Sequence, residues 1–128
     1  MKLLLDTHTF LWAIDDPKKL SARARKAIEG EHNDLVLSVA SLWEIILKVE
    51  TGKLKMQPTA EYFQAHCQNL GVSAVLAIQP GHIYCLRSLP TFHSDPFDRL
   101  LIAQAKTERL RLVSRDDVME SYLPDVIW

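Results

Sequence analysis

Four acids, Asp6, Glu44, Asp98 and Asp116, stand where short apolar runs end or helical patterns begin. Asp6 follows Leu3-Leu4-Leu5. Asp116 follows the run Leu110 to Val113 and then Ser114-Arg115. Asp98 comes three residues after Asp95 in Asp95-Pro96-Phe97-Asp98, and Glu44 lies about two helical turns past Leu35-Val36-Leu37. Each acid alone has an ordinary explanation. Asp6 can cap a helix. Glu44 precedes Lys48 by four residues, a surface pair worth about 0.3–0.5 kcal/mol. Asp98 favours a helix N-terminus by about 0.3–1 kcal/mol, and Asp116 can begin a turn. The combination says more, because all four fall near one edge of an inferred sheet. Two like charges about 4 Å apart repel by roughly 1 kcal/mol in water and ~4 kcal/mol at an effective dielectric of about 20. A fold that gathers several carboxylates therefore calls for a cation. All-oxygen ligands suit Mg²⁺ or Mn²⁺ rather than zinc. Such an ion binds phosphate oxygens and acidifies water, which is the chemistry of phosphodiester hydrolysis. It requires no serine or cysteine nucleophile and no organic cofactor.

Several neighbours could assist. Thr7 and Ser38 have hydroxyls beside the inferred site, able to orient Asp6, bind phosphate or complete strand-end hydrogen bonds. Arg99 follows Asp98 directly and could neutralise the acids or grip a phosphate. Asp95 is acidic and close, but its helix-capping role explains it adequately, so it ranks second as a metal ligand. His8 and His93 flank these motifs and read as surface histidines. Trp12 and Trp43 read as core or partner interface. No histidine pair has the i, i+4 spacing of a zinc site.

The elements that must position the acids follow from apolar spacing. Leu3 to Leu5 suits a central parallel strand buried on both faces. Phe10, Leu11 and Ile14 form a helical stripe closed by Pro17. Ser21 caps a second helix through about Glu29. Leu35 to Leu37 is a second strand, followed by a helix from about Val39 with Leu42, Ile45, Ile46 and Val49 on one face. Pro58-Thr59 opens another helix, which Gly71 ends. Val72 to Ile78 reads as a third strand, and Pro80 starts a short helix through about Leu89. Asp95 as N-cap and Pro96 at the first position open the next helix. Leu110 to Val113 is a fourth strand, and Val126-Ile127-Trp128 a short edge strand. Strands alternating with helices imply a parallel sheet covered on both faces. Sites in such sheets form beyond the carboxyl ends of the strands, where Asp6 and Asp116 fall.

Composition bounds the reading. At 128 residues and 48% hydrophobic, the chain fits one globular domain over residues 1–128. Fifteen basic and 16 acidic residues leave a net charge of −1. No broad positive field draws in nucleic acid, so an RNA substrate would need a local basic patch and a bound cation. Cys67 and Cys85 are too few for a disulfide framework and read as reduced, buried thiols in a cytoplasmic protein. The acid at position six interrupts the first apolar run, and no segment has the length of a membrane helix.

Leu3-Leu4-Leu5-Asp6-Thr7-His8, Ser41-Leu42-Trp43-Glu44-Ile45 and Asp95-Pro96-Phe97-Asp98-Arg99-Leu100-Leu101-Ile102-Ala103-Gln104-Ala105 resemble the PIN-domain ribonucleases, above all the VapC-like toxins of type II toxin–antitoxin modules. The resemblance runs from Leu3 to Trp128, and its late motif is the most specific part. It implies an α/β three-layer sandwich with a central, mainly parallel sheet flanked by helices. It also implies a Mg²⁺- or Mn²⁺-dependent endoribonuclease acting on single-stranded RNA or RNA loops, transfer RNA being a common family target. The family's acids fall on Asp6, Glu44, Asp98 and the more variable Asp116. Ser114 stands where many relatives carry threonine. A homodimer and a complex with a cognate antitoxin are further implications. Three other readings compete. A haloacid-dehalogenase phosphotransferase would need a second acid where His8 stands. A receiver phosphoacceptor would need an acidic pair beside Asp6. An inactive PIN-fold module that only binds RNA or protein would be expected to have lost one of the acids.

Overall fold

Leu3, Leu4 and Leu5 are all fully buried, yet they serve two different cores. Side chains alternate across a strand, so Leu3 and Leu5 point to one face of the sheet and Leu4 to the other. The strand must therefore be covered on both sides. The computed structural model describes residues 1–128 and shows that arrangement. In chain order the elements are β1 (Lys2–Leu5), α1 (Thr7–Asp15), α2 (Ala22–Glu29), β2 (Asp34–Ser38), α3 (Val39–Glu50), α4 (Ala60–Leu70), β3 (Val72–Leu76), α5 (Pro80–Leu86), α6 (Pro96–Glu108) and β4 (Arg111–Val113). Short 3₁₀ turns occupy Pro17–Lys19 and Asp117–Ser121.

All three strand pairings are parallel and the sheet order is β3-β2-β1-β4. Leu4 lies opposite Val36 on one side and Leu112 on the other. The chain moves outward from β1 through β2 to β3, then returns to lay β4 on the far side of β1. The strand order thus reverses between β1 and β4, which opens a crevice at their carboxyl ends. On one face Leu3, Leu5, Leu35, Leu37 and Val113 pack with Phe10 of α1, Ala24 and Ile28 of α2, Ile45 of α3 and Phe63 of α4. On the other, Leu4, Val36 and Leu112 pack with Leu101, Ile102 and Ala105 of α6 and with Met119, Tyr122 and Leu123. The result is the expected three-layer α/β sandwich.

Local chemistry explains most boundaries. Ser21 accepts the Ala24 N–H at the start of α2, and Thr59 accepts the Tyr62 N–H at the start of α4. Gly71 ends α4 with a φ of +83°, a left-handed conformation that disfavours a side chain. Arg109 ends α6 in the same region, and the Leu110 N–H donates to the Ala105 carbonyl. That cap draws Leu110 out of the expected fourth strand, which starts at Arg111. The third strand stops at Leu76 rather than Ile78, and α5 at Leu86 rather than Leu89. The expected edge strand over Val126–Trp128 is corrected to one parallel bridge between Ile127 and Val113. Cys67 and Cys85 are free, as expected, but half-buried rather than buried. No helix is long and apolar enough to cross a membrane.

Leu101 is fully buried in α6, the helix that carries Asp98. Leu101→Ala should lower unfolding free energy by about 2–5 kcal/mol in urea titrations. A loss below about 1 kcal/mol would mean that α6 is not anchored through this side.

Candidate active site

The crevice between β1 and β4 collects the acids through strand ends and helix caps. Asp6 directly follows β1 and caps α1, its Oδ1 accepting the Thr9 N–H at 2.8 Å. Its own N–H donates to the Val113 carbonyl at the end of β4. Ser114 Oγ donates to Asp6 Oδ2 and also accepts the Asp116 N–H at 3.1 Å, tying the first and last acids together. Asp116 caps the turn at Asp117–Ser121, its Oδ1 accepting the Val118 N–H at 3.0 Å. Asp95 Oδ1 accepts the Phe97 and Asp98 N–H groups, so its capping role is realised and Asp98 is fixed in the first turn of α6. Asp6, Asp98 and Asp116 line one pocket together with His8, Trp12 and Arg115.

Glu44 approaches from α3. It is only 6% exposed, so the pair with Lys48 is not the surface pair expected from spacing. Lys48 Nζ lies 2.9 Å from Glu44 Oε2, while Thr7 Oγ1 donates to Oε1 at 2.7 Å. Ser41 Oγ lies 3.0 Å from that same hydroxyl. Thr7 is therefore a buried bracket for Glu44, and its hydroxyl bonds Glu44 and Ser41 rather than Asp6.

The electrostatics mark this crevice as a place of stored repulsion. Burial raises the pKa of Asp6 above the usual carboxylate range, against hydrogen bonds from Ser114 and Thr9 that lower it. Asp98 is pushed up to about 7, first by burial and then by the charge of Asp95, with Glu44 and Asp6 adding to it and His93 opposing. Three other acids thus act on one carboxyl at the mouth of a polar pocket.

Two further expected residues lie elsewhere in the hydrogen-bond network. Ser38 Oγ is buried, donates to Gln104 Oε1 and accepts the Ala40 N–H, so it joins β2 to α6 and does not reach Asp6. Arg99 turns away from the acids. It donates to the Pro90 carbonyl at 2.8 Å and lies 3.4 Å from the His93 and Leu86 carbonyls. Arg115 is the guanidinium that borders the acid pocket, its Cζ 5.8 Å from the Trp12 ring centroid. Its signal was its place between Ser114 and Asp116 at a strand end. His93 is not the surface histidine expected. It is half-buried, and its Nε2 lies 2.8 Å from Asp116 Oδ2 and 3.1 Å from Asp98 Oδ2. His8 is exposed, as expected, 5.6 Å from Trp12 between ring centroids. Trp43 is 54% exposed rather than core, edge-on to Phe97 at 5.0 Å.

The donor chemistry fits a hard divalent cation: carboxylates predominate, their repulsion is only partly offset, and no thiolate lines the pocket. The fold and the crevice define an α/β protein with an acidic site at the sheet's topological switch. The PIN domain family model matches residues 3–122. The chain belongs to the PIN domain family. It is similar to Ribonuclease VapC22 of Mycobacterium tuberculosis (strain ATCC 25618 / H37Rv), 28% identical over 131 residues and covering 98% of each chain. Its fold is similar to a chain in the crystal structure of VapBC2 from Rickettsia felis bound to a DNA fragment from their promoter. That match has TM-score 0.67 and 16% identity, over 98% of this chain and 96% of the other. A chain of FitAcB from Neisseria gonorrhoeae matches with TM-score 0.62 and 16% identity, over 91% and 89%.

The raised acids predict a pH trend. Asp98 goes from an ordinary value of 3.8 to about 7 on folding. Through that window the folded chain holds a proton that the unfolded chain releases, so stability falls as pH rises. Asp6 acts in the same direction. In EDTA, Tm should drop between about pH 5 and about pH 7.5, and Asp98→Asn should shrink the drop. A Tm that rises over this range in the wild type, or an unchanged slope in the variant, would contradict the electrostatic picture.

Proposed function

We propose that this chain is a Mg²⁺- or Mn²⁺-dependent endoribonuclease that cleaves single-stranded RNA or RNA loops, transfer RNA among them, as the toxin of a toxin–antitoxin pair. The observation that carries the reading is the pocket shared by Asp6, Asp98 and Asp116, with Glu44 buried beside it. Asp6, Glu44, Asp98 and Asp116 would hold the cation, with Asp95 a lesser candidate because its cap accounts for it and it does not line the pocket that Asp6, Asp98 and Asp116 share. Such an ion, when bound, polarises a phosphoryl oxygen and acidifies water. The side chains have their own tasks. Ser114 and the Thr9 amide fix Asp6, and Thr7 fixes Glu44. Arg115 stands at the pocket edge, free to meet a phosphate.

The local basic patch that RNA would require is supported by a second groove of about 400 Å³. Lys19, Lys48, Lys53 and Lys55 border it with Trp12 and Tyr62, and it shares His8 and Trp12 with the acid pocket. In a chain of net charge −1, Lys19, Lys53 and Lys55 beside an aromatic wall suit a phosphate backbone with a stacked base, Lys48 being paired with Glu44. Similarity to a VapC ribonuclease and to chains of VapBC and toxin–antitoxin complexes supports the same reading, including an antitoxin partner. Homodimerisation is supported by the exposed apolar residues Val39, Trp43 and Leu47, which repeat every fourth position on α3.

Cleavage of single-stranded RNA should require Mn²⁺ or Mg²⁺, stop in EDTA, and vanish in Asp98→Asn. Cleavage that persists in EDTA would remove the proposal. The double change Lys53→Glu and Lys55→Glu should raise KM for RNA and reduce the slope of log affinity against log salt by about one for each phosphate left without its lysine. An unchanged slope would place the RNA elsewhere.

A further inference from the structure

His93 is held on four sides. Its backbone N–H donates to Tyr122 Oη at 2.8 Å, and its carbonyl lies 3.4 Å from Arg99 Nη1. Tyr122 Oη and Arg99 Nη1 both donate to the Pro90 carbonyl, at 2.7 and 2.8 Å, which locks the loop before α6. The imidazole is fixed in turn. Nδ1 accepts the Asp95 N–H at 3.1 Å, while Nε2 faces Asp98 Oδ2 and Asp116 Oδ2.

This network assigns the tautomer. A nitrogen that accepts a backbone N–H presents its lone pair, so the neutral ring carries its hydrogen on Nε2. That hydrogen makes its hydrogen bond to Asp116 Oδ2, while Asp98 Oδ2 lies 3.1 Å from the same nitrogen. Nε2 therefore donates and is not set up to ligate a metal, because a ligating imidazole nitrogen must be free of its proton. Ligation would require the hydrogen on Nδ1, facing the Asp95 N–H donor to donor.

We propose that His93 is a positioning residue whose Nε2–H, braced from behind by the Asp95 amide, holds Asp116 by a hydrogen bond close against Asp98 and so prepares the two acids for the cation. The proposal rests on the reading of this pocket as a cation-dependent nuclease site. The two acids come from α6 and from the segment after β4, and the histidine is the protein group that bridges them. It hydrogen-bonds Oδ2 of Asp116 and lies 3.1 Å from Oδ2 of Asp98. Asp116 Oδ1 is already committed to its cap, and Asp98 Oδ1 accepts no hydrogen bond from the protein, leaving it for the ion. Outer hydrogen bonds of this kind typically change metal affinity by about 10–100-fold when removed.

The test is Mn²⁺ binding by titration calorimetry with the full chain, which needs no turnover. His93→Ala should raise the Mn²⁺ Kd by about 10–100-fold. His93→Gln, whose side-chain N–H reaches the place of Nε2, should recover most of that loss. Pulsed EPR of wild-type protein loaded with Mn²⁺ should show no directly bound imidazole nitrogen. Should the alanine variant fail to fold by circular dichroism, His93→Asn takes its place, since its amide is too short to reach the acids. An unchanged or lower Kd in the truncated variant, or a directly bound nitrogen, would overturn the clamp. Asp98→Asn, measured alongside, separates this from the parent reading. If it binds Mn²⁺ like the wild type, the cation site itself is wrong. If it loses Mn²⁺ while His93→Ala does not, only the clamp is.

Discussion

Mutual repulsion among buried carboxylates is the constraint around which the rest of this molecule is arranged. Asp6 and Glu44 are both buried, and Asp98 feels the charge of three other acids. No hydrophobic core gains from such a cluster, since burying a charge is unfavourable without a partner. The chain tolerates it through backbone geometry. Asp6, Asp95 and Asp116 each cap a helix or 3₁₀ turn, so backbone N–H groups offset part of each charge. Lys48 and Thr7 do the same for Glu44 from the side-chain direction.

The sheet supplies the frame for that arrangement. β1 lies between β2 and β4, with leucines packed on both faces, so the end of β1 is among the best-fixed points in the chain. Ser114 extends from β4 to Asp6 across the switch in strand order. The acids thus come from distant positions yet are referenced to two adjacent strand ends. The lysine-bordered groove continues from the same crevice through His8 and Trp12. A polyanion lying there would bring its phosphates to the acids without any global positive charge on the protein.

Much of this was legible in the sequence, for physical reasons that can be named. Leu3-Leu4-Leu5 suits a strand covered on both faces, and Asp95-Pro96 is a strong helix start. The α6 motif carried Asp98 with it. Other features depended on distance in space, which spacing does not encode. Arg99 looked like the neutralising group because it follows Asp98, but consecutive residues on a helix point about 100° apart, and it turned to the Pro90 carbonyl. Ser38 looked close to Asp6 because both follow a strand, yet its hydroxyl faces α6. His93 sat in what read as a plain loop, and nothing local announced that Tyr122, 29 residues later, would fix its backbone. The segment Val126–Trp128 had strand-like residues, but only Ile127 finds a ladder partner.

The account stands or falls on whether these acids converge on one hard cation. The most direct measurement is a crystal soaked in Mn²⁺ and read by anomalous diffraction. The account predicts a peak in the crevice between β1 and β4, with oxygens of Asp6 and Asp98 at about 2.0–2.3 Å, the range of hard cations with oxygen ligands. A fully soaked crystal with no peak there, or with manganese bound only at unrelated surface acids, would contradict it.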